Sequence, residues 1–173
     1  MAALLRRTLV LLAAAILLWA LVAQLNHALA SWRIHVFTGG LFVVFAALTQ
    51  PHRAGLAAVL LAGLVCDAHA PVPFGLHGLL FAAAHELLFR VRNRVPRNDA
   101  VVATAVALVV NLALFLAISF TQIHHAPVPS AAWARLLMDL LASQIVLALV
   151  CPWWSALQAR ALALARVPRF DIA

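Results

Sequence analysis

Charge is what this sequence has least of. Only 10% of its 173 residues are charged and 66% are hydrophobic, where a soluble domain averages about 45–50% apolar and about 25% charged residues. Too little polar surface remains to coat a water-soluble globule. With a mean hydropathy of +1.06, the chain reads as an integral membrane protein. Cysteine is nearly absent. Cys66 and Cys151 form no CxxC and no zinc-ligand spacing, and they fall at different expected membrane depths. They read as small apolar residues in packed helices, not as a disulfide. The six glycines make no phosphate-cradling loop, and Ser31, Ser119, Ser130, Ser143 and Ser155 stand in no GxSxG context. Lysine is missing, so the net charge of +7 is carried by twelve arginines. In a soluble protein that excess would suggest nucleic acid. Here no basic segment is interleaved with aromatics in the way that tracks a strand, so the expected partner is the lipid bilayer and not a nucleic acid.

What is present is apolar length. Six segments reach or approach the ~20 residues a bilayer span needs: residues 4–25, 34–49, 54–66, 74–89, 100–121 and 133–157. The second, third and fourth are short for full spans. Cytoplasmic loops carry the arginine excess. With the N-terminus inside, ten arginines fall on the inner side (Arg6, Arg7, Arg53, Arg90, Arg92, Arg94, Arg97, Arg160, Arg166 and Arg169) and only Arg33 and Arg135 on the outer. The expectation is an all-α integral membrane protein, one domain over residues 1–173, a bundle of six transmembrane helices with both termini cytoplasmic. Trp32 and Trp133 fall at outer boundaries and Trp153 and Trp154 near the inner one, where amphipathic indoles belong; Trp19 is the exception. The N-terminus, with "MAALLRR", an apolar run and "ALA", imitates a secretory signal. Its run of residues 8–23 is long for a signal core, and cleavage would break a consistent six-helix set, so the helix is expected to be retained. Ala54, Ala58 and Ala62, with Gly55 and Gly63 beside them, form a small-residue stripe that lets helices approach closely. Internal packing is the favoured use and a dimerisation face the alternative.

Residues with chemistry cluster in "GLVCDAHAPVPFGLHG", residues 63–78. His69, His77, His124 and His125, with Cys66 and Asp67 nearby, map to the outer side. A metal site lacks the tight CxxC or HxxxH pairs that zinc uses, and loop histidines bonded to water and head groups are the preferred reading. "HELLF" opens like an HExxH motif, but Phe89 stands where the second histidine should be. Glu86 is better read as an i,i+4 partner of Arg90. Asp139 follows Arg135 by four residues; a local salt bridge and an interhelical polar contact remain equal alternatives. No catalytic, cofactor-binding or metal residue is assigned, and no cofactor is expected. In the outer loop Asp67 ends the third helix and Pro71 and Pro73 stop its continuation. The carboxylate is expected to bond backbone amides around residues 73–76, near the fourth helix N-terminus. On that reading Asp67→Asn keeps the fold and Asp67→Leu loses it.

Residues 47–93, "ALTQPHRAGLAAVLLAGLVCDAHAPVPFGLHGLLFAAAHELLFRVRN", resemble the rod shape-determining protein MreD family. Pro51, His52 and Arg53 look like that family's proline turn. Gly63, Leu64 and Asp67 look like its glycine–acid step, and Gly75 falls eight residues after the acid. "CPWW" before a basic tail is similar to its last helix. The chain has Pro71 where the family often has a glycine. The resemblance implies a non-enzymatic inner-membrane scaffold of the bacterial cell-elongation machinery. It would associate with MreC, and belong with MreB, RodA and a class B penicillin-binding protein in peptidoglycan synthesis. The family's helical fold is similar to that of substrate-binding subunits of energy-coupling-factor vitamin transporters. That supplies the alternative, a small-molecule-binding membrane subunit, which should enclose a pocket with several inward polar groups. Asn111, Ser119, Asp139, Ser143 and Gln144 are the main polar residues within the spans.

Overall fold

A computed structural model describes residues 2–94, 96, 99–123 and 129–167 of the chain. These residues form six α-helices and no strand: α1 (Ala2–Leu29), α2 (Gly39–Thr49), α3 (His52–Asp67), α4 (Leu76–Val91), α5 (Ala100–Ile123) and α6 (Pro129–Leu164). Three stretches are long and apolar enough to cross a membrane: Ala3–Trp32, Ala100–Thr121 and Trp133–Leu164. The other three helices are shorter. α2 has 11 residues, and α3 and α4 have 16 each. At 1.5 Å per residue these extend only ~16 and ~24 Å, against a hydrocarbon core of ~30 Å.

The largest departure from the sequence reading lies before α2. The second apolar segment was expected to be helical from residue 34, yet residues 34–38 are not helical and α2 begins at Gly39. Side chains from three other helices take over the hydrogen bonds that a helix would have made. Non-helical backbone at membrane depth is tolerated only when protein surrounds it in this way.

α2 is the hub of the bundle. Eight of its eleven residues are buried, and Leu41, Val44, Ala47 and Leu48 share one core with Leu18 of α1, Leu88 of α4, Ala107 of α5 and Leu147 of α6. A helix apolar all round belongs at such a centre. Gly40 allows α5 to close on it: a Cβ there would lie 2.4 Å from the Ala107 carbonyl oxygen. The stripe Ala54, Ala58 and Ala62 is likewise buried; Ala58 packs with Leu11 of α1 and Leu162 of α6. The small residues therefore serve internal packing and leave no free face there for a second copy. Outward, α6 exposes Leu137, Leu141, Ile145 and Leu149 along one line, and α4 exposes Leu79 and Leu87. An apolar belt of this extent suits lipid contact.

α6 exceeds the expected end at residue 157 by seven residues and runs helically through Pro152. Its extension, "QARALAL", consists almost wholly of strong helix formers. The Val167 N–H donates to the Leu162 carbonyl and the Arg166 N–H to the Ala163 carbonyl, and Arg166 has φ 51°; this is a Schellman stop with arginine in the usual glycine place. Trp153 is exposed as an interfacial residue should be, but Trp154 is buried in the core with its indole N–H unpartnered. Neighbouring helical residues point about 100° apart, so the two indoles could not share one interface.

Candidate functional site

The α3–α4 hairpin is held by one carboxylate. Asp67 closes α3, and its side chain is fully enclosed. Its Oδ1 accepts the His77 N–H at 2.9 Å and His77 Nδ1 at 2.7 Å. Its Oδ2 accepts the Gly75 and Gly78 N–H groups, each at 3.1 Å. Both oxygens are thus saturated by the first turn of α4, whose free N–H groups have no helical acceptor. The amides engaged are those of residues 75, 77 and 78, slightly further into α4 than the expected 73–76. Pro71 and Pro73 are exposed in the connecting turn, and the Leu76 N–H donates to the Pro73 carbonyl. Gly75 has φ +97° and open space around it. Gly75→Ala is therefore expected to cost only the backbone strain of a left-handed residue, about 1–2 kcal/mol. A thermal melt of the purified protein should register it as a modest decrease.

Gly63 makes the hairpin tight. A Cβ at this position would lie 2.6 Å from both Cα and N of Gly78, so the α3 and α4 backbones touch where Asp67 reaches across. His69 donates from Nδ1 to the Val65 carbonyl, and its ring lies 4.5 Å from that of Trp19. This contact explains the indole in mid-α1. Cys66 and Cys151 are free thiols. Among the described residues, no group of three or more His, Cys, Asp or Glu side chains is placed to hold a metal ion. His124 and His125, the other half of the metal alternative, lie outside the described residues, as do Arg97 and Arg169.

Beside the hairpin lies the non-helical segment before α2. Asn26 of α1 accepts the Val36 N–H at 2.7 Å and donates to the Val36 carbonyl at 3.0 Å. Asp139 of α6 accepts the His35 N–H at 2.8 Å, and Ser143 Oγ accepts the Phe37 N–H at 2.9 Å. Asn111 of α5 accepts the Gly40 N–H and donates to the Phe37 carbonyl, both at 3.1 Å. Of the two alternatives for Asp139, the structure takes the interhelical contact. It forms no ion pair with Arg135: the acid is buried, while the arginine is exposed.

Between clasp and hairpin the helices leave a cavity of about 690 Å³. Thr38, His77, Phe81, Ser119 and Asp139 form its buried floor, while His35, His69, Pro71 and Arg135 are exposed at its rim. Trp19, Phe37, Phe42 and Phe115 add aromatic wall.

The opposite end of the bundle gathers arginines. Gln50, just before Pro51, is buried there; its side-chain oxygen accepts from Arg7 at 3.2 Å and its carbonyl from Arg92 at 3.1 Å. Arg92 also lies 3.7 Å above the Phe89 ring. Pro51 precedes the first turn of α3, with its carbonyl accepting the Gly55 N–H. Arg53 is exposed one residue into that helix. Glu86 pairs with Arg90 at 2.9 Å, as the spacing suggests, and also with His52 at 2.9 Å. Sequence reasoning missed Asn26, Thr38 and Gln50. Asn26 and Gln50 are lone amides at the edges of apolar runs, and that position was their only signal.

Comparison with known proteins returns no match: no family model fits the chain, and no curated protein or solved structure is significantly similar to it.

Proposed function

We propose that the protein is a non-enzymatic scaffold subunit of the bacterial cell-elongation machinery, of the kind to which residues 47–93 are similar. It sits in the inner membrane with both termini cytoplasmic, the orientation favoured by the arginine bias. It associates with MreC, and through the assembly with MreB, RodA and a class B penicillin-binding protein. The observation that carries this reading is the convergence of the resemblance on one physical unit. Gly63, Asp67 and Gly75, the residues of the family-like step, are the ones that make the close approach, the buried carboxylate lock and the left-handed turn of a single hairpin. Co-purification from native membranes in mild detergent tests it. MreC and the cell-wall synthases should be recovered with the tagged chain; recovery of ATPase subunits, or of neither, would sink the scaffold reading.

A second reading is favoured by the cavity. A volume of about 690 Å³ with several inward polar groups falls in the ~300–1,000 Å³ range of small-molecule sites. On this reading the chain is a membrane subunit that binds a small ligand from the side opposite its arginine-rich end.

A further inference from the structure

The floor of the cavity has a chemical character of its own. Asp139 is 6% exposed and lines the cavity. One of its oxygens accepts a single backbone N–H, from His35. The ion pairs among the described residues are His52–Glu86, His77–Asp67 and Arg90–Glu86, so no cation lies within ion-pair distance of Asp139, and the titratable group that feels its charge is the exposed His35 imidazole at the rim. A buried carboxylate with one hydrogen bond is poorly compensated, because desolvation of a charge is costly unless a counter-charge or several donors meet it. Asp67, the other buried acid, shows the contrast: four contacts saturate its two oxygens. A second polar group is left open nearby. Thr38 is 3% exposed, lines the same cavity, and its hydroxyl has no partner.

The walls point the same way. Trp19, Phe37, Phe42 and Phe115 surround this floor, to which Phe81 belongs, and aromatic faces attract cations, most strongly where water is excluded. An anion would be repelled at the floor by Asp139; a neutral molecule could bring it hydrogen-bond donors but no counter-charge. Arg135 stands at the rim, exposed, where solvent screens its charge. We propose that the cavity is a binding site for an organic cation with an apolar or aromatic body, its ammonium group against Asp139 and its body against the aromatic wall. This rests on the small-molecule reading above and is independent of the scaffold reading.

The test uses the full chain in nanodiscs of zwitterionic lipid and equilibrium dialysis of three probes of similar size: benzyltrimethylammonium, N-methylbenzamide and phenylmethanesulfonate, with empty nanodiscs as the blank. The cation should bind about tenfold or more tighter than either other probe, the scale of one desolvated cation–π contact with a counter-charge. Asp139→Asn keeps an oxygen for the His35 N–H. It should remove that preference, bringing the cation down to the affinity of N-methylbenzamide measured on the same variant. Equal binding of cation and amide, or a cation affinity that Asp139→Asn does not move, overturns the proposal but leaves a small-molecule cavity standing. Preferred binding of the sulfonate overturns it in favour of recognition by Arg135. Binding of none of the three overturns the small-molecule reading as well. If the variant fails to fold, the ranking of the three probes on the unaltered chain decides alone.

Discussion

Asp67→Leu is expected to lower the midpoint of thermal unfolding by about 6–36 °C, since two buried N–H groups and one half-buried one lose their acceptor at roughly 1–3 kcal/mol each and 1 kcal/mol shifts a domain of this size by about 2–4 °C. The groups are the amides of Gly75, His77 and Gly78. Water cannot replace the carboxylate, because the site is enclosed and leucine fills it with carbon. Asp67→Asn is expected to fall between Asp67→Leu and the unaltered chain. Both carboxylate oxygens accept backbone N–H groups, so an amide satisfies one side and presents its NH₂ to donors on the other. This refines the sequence-level expectation that Asp67→Asn keeps the fold: the variant still folds, with a lower midpoint. Heating followed by size-exclusion chromatography in detergent should rank the unaltered chain as most stable, Asp67→Asn next and Asp67→Leu last. An asparagine variant as stable as the unaltered chain would mean that one oxygen suffices after all.

Gly63→Ala is expected to be harmful to a lesser degree, and Gly78→Ala close to neutral, although the two glycines face each other. A methyl group at position 63 would lie 2.6 Å from the backbone of Gly78, which cannot turn aside. The hairpin would have to open and would stretch the Asp67–Gly78 bond with it. Overpacking of this kind costs about 1–3 kcal/mol, hence about 2–12 °C in the same measurement. At position 78 the nearest atoms to a new methyl are the ends of Leu64 and Leu60, at 3.2–3.6 Å. Flexible side chains can yield, and alanine in a helix interior recovers up to about 1 kcal/mol relative to glycine. Equally small effects at both positions would show that the helices are farther apart than described. Gly63→Leu should prevent accumulation of the folded protein, because no rotamer avoids the α4 backbone.

How far these features could be read in advance depended on the kind of interaction. The hairpin was legible because its parts are neighbours in sequence: Asp67, two prolines and Gly75 lie within nine residues, and helix ends announce themselves locally. The Glu86–Arg90 pair was legible for the same reason. The clasp before α2 was not. Residues 34–38 are as apolar as a helix entrance, and they leave the helical path only because Asn26, Asn111, Asp139 and Ser143 arrive from up to 106 positions away. Trp154 was assigned to an interface because it adjoins Trp153; which of two adjacent indoles turns inward is decided by the neighbours that pack on it.

The sequence by itself determined the apolar character and the number of elements. Its scarcity of charge suits lipid, its apolar runs divide into six helices, and ten of its twelve arginines lie near one expected set of helix ends. These are sums and periods along the chain, which no packing arrangement can alter. Only the tertiary structure decided that α2 is a short central helix fed by a non-helical segment, that both oxygens of Asp67 are occupied, and that Asp139 lines a cavity without a counter-charge. Each depends on where distant helices bring single polar atoms together, and no local pattern along the chain encodes those meetings.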